Sequence, residues 1–257
     1  MAAAIIAAPP AAIDFNVLDL EEFQLQLDIG QISTDPRNAS QPQRGKQFTA
    51  HVSATIPIPS DPTVRTHLSN PIVIFNNGFQ IDSSQYTTYS HHLASQGYLT
   101  LRYYIDWDYP WPAIDHQDLA DCILRLMQVV GESAQLKPYW PSGPGRFVLM
   151  GHSRGGKLAI FATCRLAELR IQGICVEALI LLDPVDAKDP KAADRMQQLR
   201  EEFPPTLILG SELGKRKRSF MFFASACAPE DCNYEVLYRR AQDVVGVDAV
   251  QRVVQCM

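Results

Sequence analysis

Apolar and polar positions alternate in two distinct rhythms along this chain. Residues 15–27 (FNVLDLEEFQLQL) and 47–56 (QFTAHVSATI) carry period-2 stretches with β-branched residues, which predicts two strands that pair early. Between them, Asp35-Pro36 and residues 41–45 are polar and read as a loop. Residues 71–75 (PIVIF) form a short unbroken apolar run, the mark of a strand covered on both faces. It stops at Asn76-Asn77-Gly78, a turn signal.

From there strand-like and helix-like segments take turns. Helices are predicted over 86–96, 117–130, 155–169, 191–203 and 234–242. Strands are predicted over 98–104, 146–150, 178–182, 206–209 and 249–256, and residues 138–144 read as a Pro-rich loop. This order implies an α/β fold, specifically a mostly parallel central sheet with helices on both faces. No internal repeat or linker interrupts it, so residues 1–257 read as a single unit. Residues 1–14 read as a loose N-terminal arm. That segment is Ala-rich but lacks a leading Lys or Arg and is broken by Pro9-Pro10, unlike a secretion signal, so a cytoplasmic location is the default expectation.

Composition narrows the function classes. With 46% hydrophobic and 20% charged residues, the chain can build an ordinary core. Its net charge of −5 argues against nucleic acid as a partner, which needs a basic face. No apolar run reaches the roughly 18 residues of a membrane span. The six cysteines are scattered without a CxxC and read as reduced, mostly buried small hydrophobes. Cys227 and Cys232 are near enough in sequence to pair, but no histidine lies close to them, so no metal site is expected.

The chemistry concentrates at Gly151-His152-Ser153-Arg154-Gly155-Gly156. G-x-S-x-G alone is a common match, but here RFVLM precedes it as a strand and KLAIFATCRLAEL follows as a helix. Such a tight strand-to-helix turn strains the serine backbone and lifts its hydroxyl above the sheet. The amide of Arg154 then supplies half of an oxyanion hole. The other half is expected from the amide of Phe79, in the loop after PIVIF. A nucleophilic serine needs a base, and the base an orienting carboxylate. Asp183, after ALILL, and Glu212, after TLILGS, both occupy positions open to that role, and position alone does not choose.

GHSRGGK at 151–157, LLDPVDA at 181–187, PTLILGSELG at 205–214, CAPEDCNYEVLY at 227–238 and PIVIFNNGFQIDSSQYTTYSHHLASQGY at 71–98 together resemble the chlorophyllase family, over roughly residues 45–257. The resemblance implies an α/β-hydrolase fold and a serine esterase that splits the phytyl ester of chlorophyll into chlorophyllide and phytol, with no cofactor. It selects Asp183 as the triad acid and leaves Glu212 as a surface carboxylate. Trp107, Tyr109 and Trp111, in the loop at the carboxyl edge of the sheet, would then form an apolar wall for a chlorin ring or an isoprenoid alcohol. The apolar loop 219–228 and the basic run 215–218 (KRKR) suggest peripheral contact with an anionic, photosynthetic membrane surface.

Two departures from the family pattern stand out. The loop after the third strand reads Asn77-Gly78 where the family usually has His-Gly, which leaves the backbone amide available. The base is the larger departure. The histidines are His51, His67, His91, His92, His116 and His152, all before Asp183, so the order Ser…Asp…His is not completed. His152 is expected to pack away from Ser153, His91 and His92 to lie on a helix surface, and His116 to be no substitute base. One expectation is a chain cut just short of its base, at Met257. Alternative readings are another lipase- or cutinase-like esterase, and a pigment- or lipid-binding relative without catalysis.

Overall fold

The structure is a computed structural model that describes residues 18–32, 46–59, 70–106, 116–139, 145–187, 192–197, 199, 203–211, 217–220, 223–226, 228–246 and 250–255. The expected N-terminal arm, Trp107, Tyr109, Trp111, Glu212 and Cys227 lie outside these residues.

The two early strands are β1 (Leu18–Ile32) and β2 (Lys46–Pro59), longer than the alternation indicated and paired antiparallel. The core of the sheet follows as β3 (Ile72–Asn76), β4 (Thr100–Asp106), β5 (Gly145–His152), β6 (Ile174–Leu182), β7 (Thr206–Ser211) and, as the last strand, β10 (Val250–Gln255). The helices are α1 (Thr87–Ser95), α2 (His116–Glu132), α3 (Arg154–Leu169), α4 (Ala192–Met196) and α5 (Tyr234–Val245). The eight strands lie in the order β1-β2-β4-β3-β5-β6-β7-β10, with β2 antiparallel to both neighbours and all later pairs parallel. This is the mostly parallel α/β sheet of the α/β-hydrolase fold expected from the sequence.

The continuous apolar runs behave as their burial requires. Along β3, Ile72 and Ile74 join the core under α2 and α3, while Val73 and Phe75 join the core under α1. Along β5, Phe147 and Leu149 face the first core and Val148 and Met150 the second. Leu179 and Leu181 of β6 repeat the division against Leu182. Helix α2 meets the first core with Leu119, Ile123, Leu126, Met127 and Val130, a helical three-and-four spacing.

Two expectations are corrected. Helix α4 spans Ala192–Met196 rather than 191–203: Gln197 and Leu199 already lie in turns, and Phe203 sits in a bend with its ring packed in the core. Residues 219–228, read as an apolar loop, contribute instead to a small hairpin of β8 (Lys217–Phe220) and β9 (Phe223–Ala226), closed by the Phe220–Phe223 pair. Aromatic residues suit a paired strand better than an open loop.

From β3 the chain moves to β4 on one side and then to β5 on the other. The strand order reverses at this point, and the crevice beyond the strands' carboxyl ends there is where open α/β sheets hold ligands.

Candidate active site

One residue separates the end of β5 from the start of α3, and it is Ser153. Its backbone sits at φ 53° and ψ −119°, a region that non-glycine residues rarely occupy and that costs about 1–3 kcal/mol. The motif's glycines make the turn sterically feasible. A Cβ on Gly155 would lie 2.0 Å from the Asn76 carbonyl oxygen, and one on Gly151 would lie 2.3 Å from the Gly155 carbonyl oxygen. Strand β3 and helix α3 therefore approach more closely than any side chain permits. The Ser153 side chain forms no capping hydrogen bond to the helix, although it stands in the cap position.

The acid loop is stitched to this turn. In the β5–β6 register His152 pairs with Leu182, so Ser153 and Asp183 stand level at the carboxyl edge. The Ser153 amide donates to the Leu182 carbonyl at 2.9 Å, and the Val185 amide to the Ser153 carbonyl at 3.2 Å. Asp183 is also held at positive φ, 44°. Its carboxylate accepts from the Ser211 amide at 3.0 Å and from the Ser211 hydroxyl at 2.5 Å. Ser211, at the end of β7, was not singled out from the sequence, where attention fell on its neighbour Glu212. Three residues past Asp183, the buried Asp186 pairs with the buried Lys157 at 3.1 Å. Lys157 also donates to the Ala187 carbonyl at 2.9 Å, and Asp186 accepts from the Ala192 amide at 2.8 Å. The loop 183–187 is thus fixed to α3 and α4 together.

The loop after β3 is equally constrained. Asn76 donates to the Met150 carbonyl at 3.0 Å and accepts from the Tyr103 hydroxyl at 2.7 Å. Burial holds that hydroxyl far above its ordinary pKa, so Tyr103 remains a donor. Asn77 donates to the Tyr103 carbonyl at 2.8 Å. The Gly78 amide donates to the Tyr86 hydroxyl at 3.1 Å, and that hydroxyl stands 2.9 Å from Nδ1 of His152. The Tyr86 hydroxyl therefore links the Gly78 amide to the His152 ring. Burial lowers the His152 pKa, and the charge of Asp183 partly opposes this. Tyr86 had no sequence signal; its ring lies 66 residues from the histidine it meets.

Phe79 and Arg154 come together. The Arg154 guanidinium lies 5.1 Å from the centre of the Phe79 ring, and both line a cleft of about 350 Å³ with Asn77, Gln80, Tyr103 and Tyr104. Among the other described histidines, His91 pairs with Glu22 at 2.9 Å, His92 is exposed on α1, His51 stacks on Tyr104 at 4.5 Å, and His116 packs against Phe161.

The chlorophyllase family model matches residues 30–251. Chlorophyllase-1 of Arabidopsis thaliana is 28% identical over 182 residues, which are 67% of this chain and 54% of that protein. Chlorophyllase-2 of the same plant is 27% identical over 181 residues, covering 67% and 55%. The chain thus spans about half the length of these curated relatives. Among solved structures, a rice cell wall degrading esterase of Xanthomonas oryzae matches 94% of this chain and 84% of its own, with TM-score 0.61 at 13% identity. A thermostable esterase of Pseudomonas putida matches 94% and 74%, with TM-score 0.55 at 16% identity. At these identities the structural likeness establishes the fold.

Proposed function

The chain belongs to the chlorophyllase family, and from that premise we propose that it is a carboxylic ester hydrolase with Ser153 as nucleophile. The observation that carries this reading is the Ser153 backbone, strained at φ 53° between β5 and α3 and level with Asp183. The Ser153 hydroxyl attacks the ester carbonyl carbon, and the carbonyl oxygen becomes an oxyanion. The amides of Phe79 and Arg154 donate to that oxygen. The Gly78 amide is already committed to Tyr86, which supports Phe79 rather than Gly78 as the donor in this loop. Asp183, both of whose oxygens accept from Ser211, would orient an imidazole supplied to this edge, which would take the serine proton and pass it to the leaving alcohol. Water then releases the acid. The substrate class is the phytyl ester of chlorophyll, giving chlorophyllide and phytol, with Trp107, Tyr109 and Trp111 as its apolar wall. The basic run 215–218 would supply peripheral contact with an anionic membrane; among the described residues, no helix is long and apolar enough to cross one.

No histidine follows Asp183 in this sequence. Residues 1–257 alone therefore turn over slowly, since loss of one triad member costs about 10⁴–10⁶ in rate while binding and the oxyanion donors persist. The test is chlorophyllide release from chlorophyll by the 257-residue chain and by Ser153→Ala, each with and without added imidazole, beside a short p-nitrophenyl ester. Slow release that imidazole accelerates and Ser153→Ala abolishes supports the proposal. Release that is indifferent to Ser153→Ala refutes it. Preference for the short ester would move the substrate toward a general esterase. A second reading is a pigment- or lipid-binding relative, for which binding without any imidazole-dependent release is expected.

A further inference from the structure

Four buried side-chain polar atoms among the described residues have no hydrogen-bond partner, and two of them belong to residues of the same cleft: Asn77 Oδ1 and Arg154 Nε. An unmet polar atom in a low-dielectric site costs about 1–3 kcal/mol, more when charged. Arg154 is the sharper case. Its guanidinium lies over the Phe79 ring, and no carboxylate among the described residues pairs with it. It opens α3, where the helix dipole is already positive. Tyr103, the polar ring beside it, is held protonated by burial and offers no counter-charge. Burial pulls the guanidinium's own pKa down from its ordinary value, as expected for a cation short of an anion. Around it the cleft is mainly apolar: Phe79 is 41% exposed and Tyr104 50%, and Ile81, Ile105, Leu119 and Leu158 also line it.

We propose that Arg154 is a substrate-anchoring residue that takes a second oxygen acceptor, carbonyl or carboxylate, on a flat apolar acyl group lying against Phe79 and Tyr104. The guanidinium fork matches a carboxylate with two parallel hydrogen bonds and a ketone or ester carbonyl with one. Esters whose acyl part has no such second oxygen leave the guanidinium without an acceptor in the cleft, and the cleft disfavours them. This deepens the ester-hydrolase reading and rests on it for the word substrate; the binding preference is measured without turnover.

The experiment is equilibrium binding of three probes of similar size: 2-naphthoate, 2-acetonaphthone and 2-ethylnaphthalene. Wild-type protein is compared with Arg154→Met, Arg154→Lys and Gln80→Glu; Gln80 is an exposed residue on the same cleft wall. The affinity ratio of naphthoate to ethylnaphthalene is expected to fall about tenfold in Arg154→Met, the worth of one charged hydrogen bond. Arg154→Lys keeps part of that ratio, and the acetonaphthone ratio falls less. Gln80→Glu weakens naphthoate and leaves ethylnaphthalene unchanged, which decides the matter should Arg154→Met not fold. An unchanged ratio in the folded variants overturns the proposal, and so does a wild-type protein that binds none of the probes. Covalent labelling of Ser153 on the same samples separates the two readings. An unreactive Ser153 with the ratio falling in Arg154→Met refutes the nucleophile and leaves the anchor; a reactive Ser153 with no ratio change in that variant does the reverse.

Discussion

At the scale of single residues, the elbow depends on what is not there. The 2.0 Å approach that a Cβ on Gly155 would make to the Asn76 carbonyl involves backbone on both sides, so neither partner can swing away. Gly155→Ala is therefore expected to cost about 1–3 kcal/mol or more, read as a lower urea midpoint; an unchanged midpoint would mean that β3 and α3 are not this close. His152 gives a second residue-scale prediction. Its pKa lies below the ordinary 6.5 because it is buried, with Asp183 pulling it back up. Asp183→Asn should thus lower it further, which ring-proton NMR titration would detect as a shift to lower pH. The sign for stability follows from linkage. The unfolded chain binds a proton near pH 6.5 and the folded chain does not. The contribution is full above that value and is lost as pH falls toward the folded pKa. Replacing His152 by Asn removes this part of the pH dependence. The glycines and Ser153 were legible in the sequence, since a local motif fixes them. Ser211 and Tyr86 were not, because each acts on a residue 28 or 66 positions away and no local spacing reports that.

Among elements, the decisive object is the loop between β6 and α4. Lys157 and Asp186 are 1% and 4% exposed and answer each other 3.1 Å apart. Removing one partner of such a buried pair leaves an uncompensated charge and typically costs about 3–5 kcal/mol, whereas replacing both with apolar residues is far milder. Asp186→Ala is expected to fall in that range by urea denaturation. The double variant Lys157→Met/Asp186→Leu should recover much of it; a double variant as unstable as the sum of the singles would refute the pairing. Both residues sit inside the GHSRGGK and LLDPVDA segments noted from sequence, yet their contact became visible only when α3 was docked on β6. Long apolar strands were legible because burial on both faces suppresses alternation. The short α4 and the β8–β9 hairpin were not: the helix gives way to turns at Gln197 and Leu199, and residues read as an apolar loop pair as strands.

On the scale of the whole molecule, the reversal of strand order around β3 brings three separate segments to one edge: the Asn76–Phe79 loop, the Ser153 turn and the Asp183 loop. Alternation in the sequence implied the sheet and its helices, but the meeting of these segments requires the order β4-β3-β5-β6, which periodicity does not encode. Fold and family now agree, and the open chemical question is whether Ser153 reacts in a chain whose histidines all precede Asp183. A fluorophosphonate probe with peptide mass spectrometry addresses it directly. The expected result is a single adduct on the peptide bearing Ser153, formed slowly, hastened by imidazole and absent from Ser153→Ala. No adduct at Ser153 even with imidazole, or equal labelling of Ser153→Ala, would contradict a nucleophile at this turn.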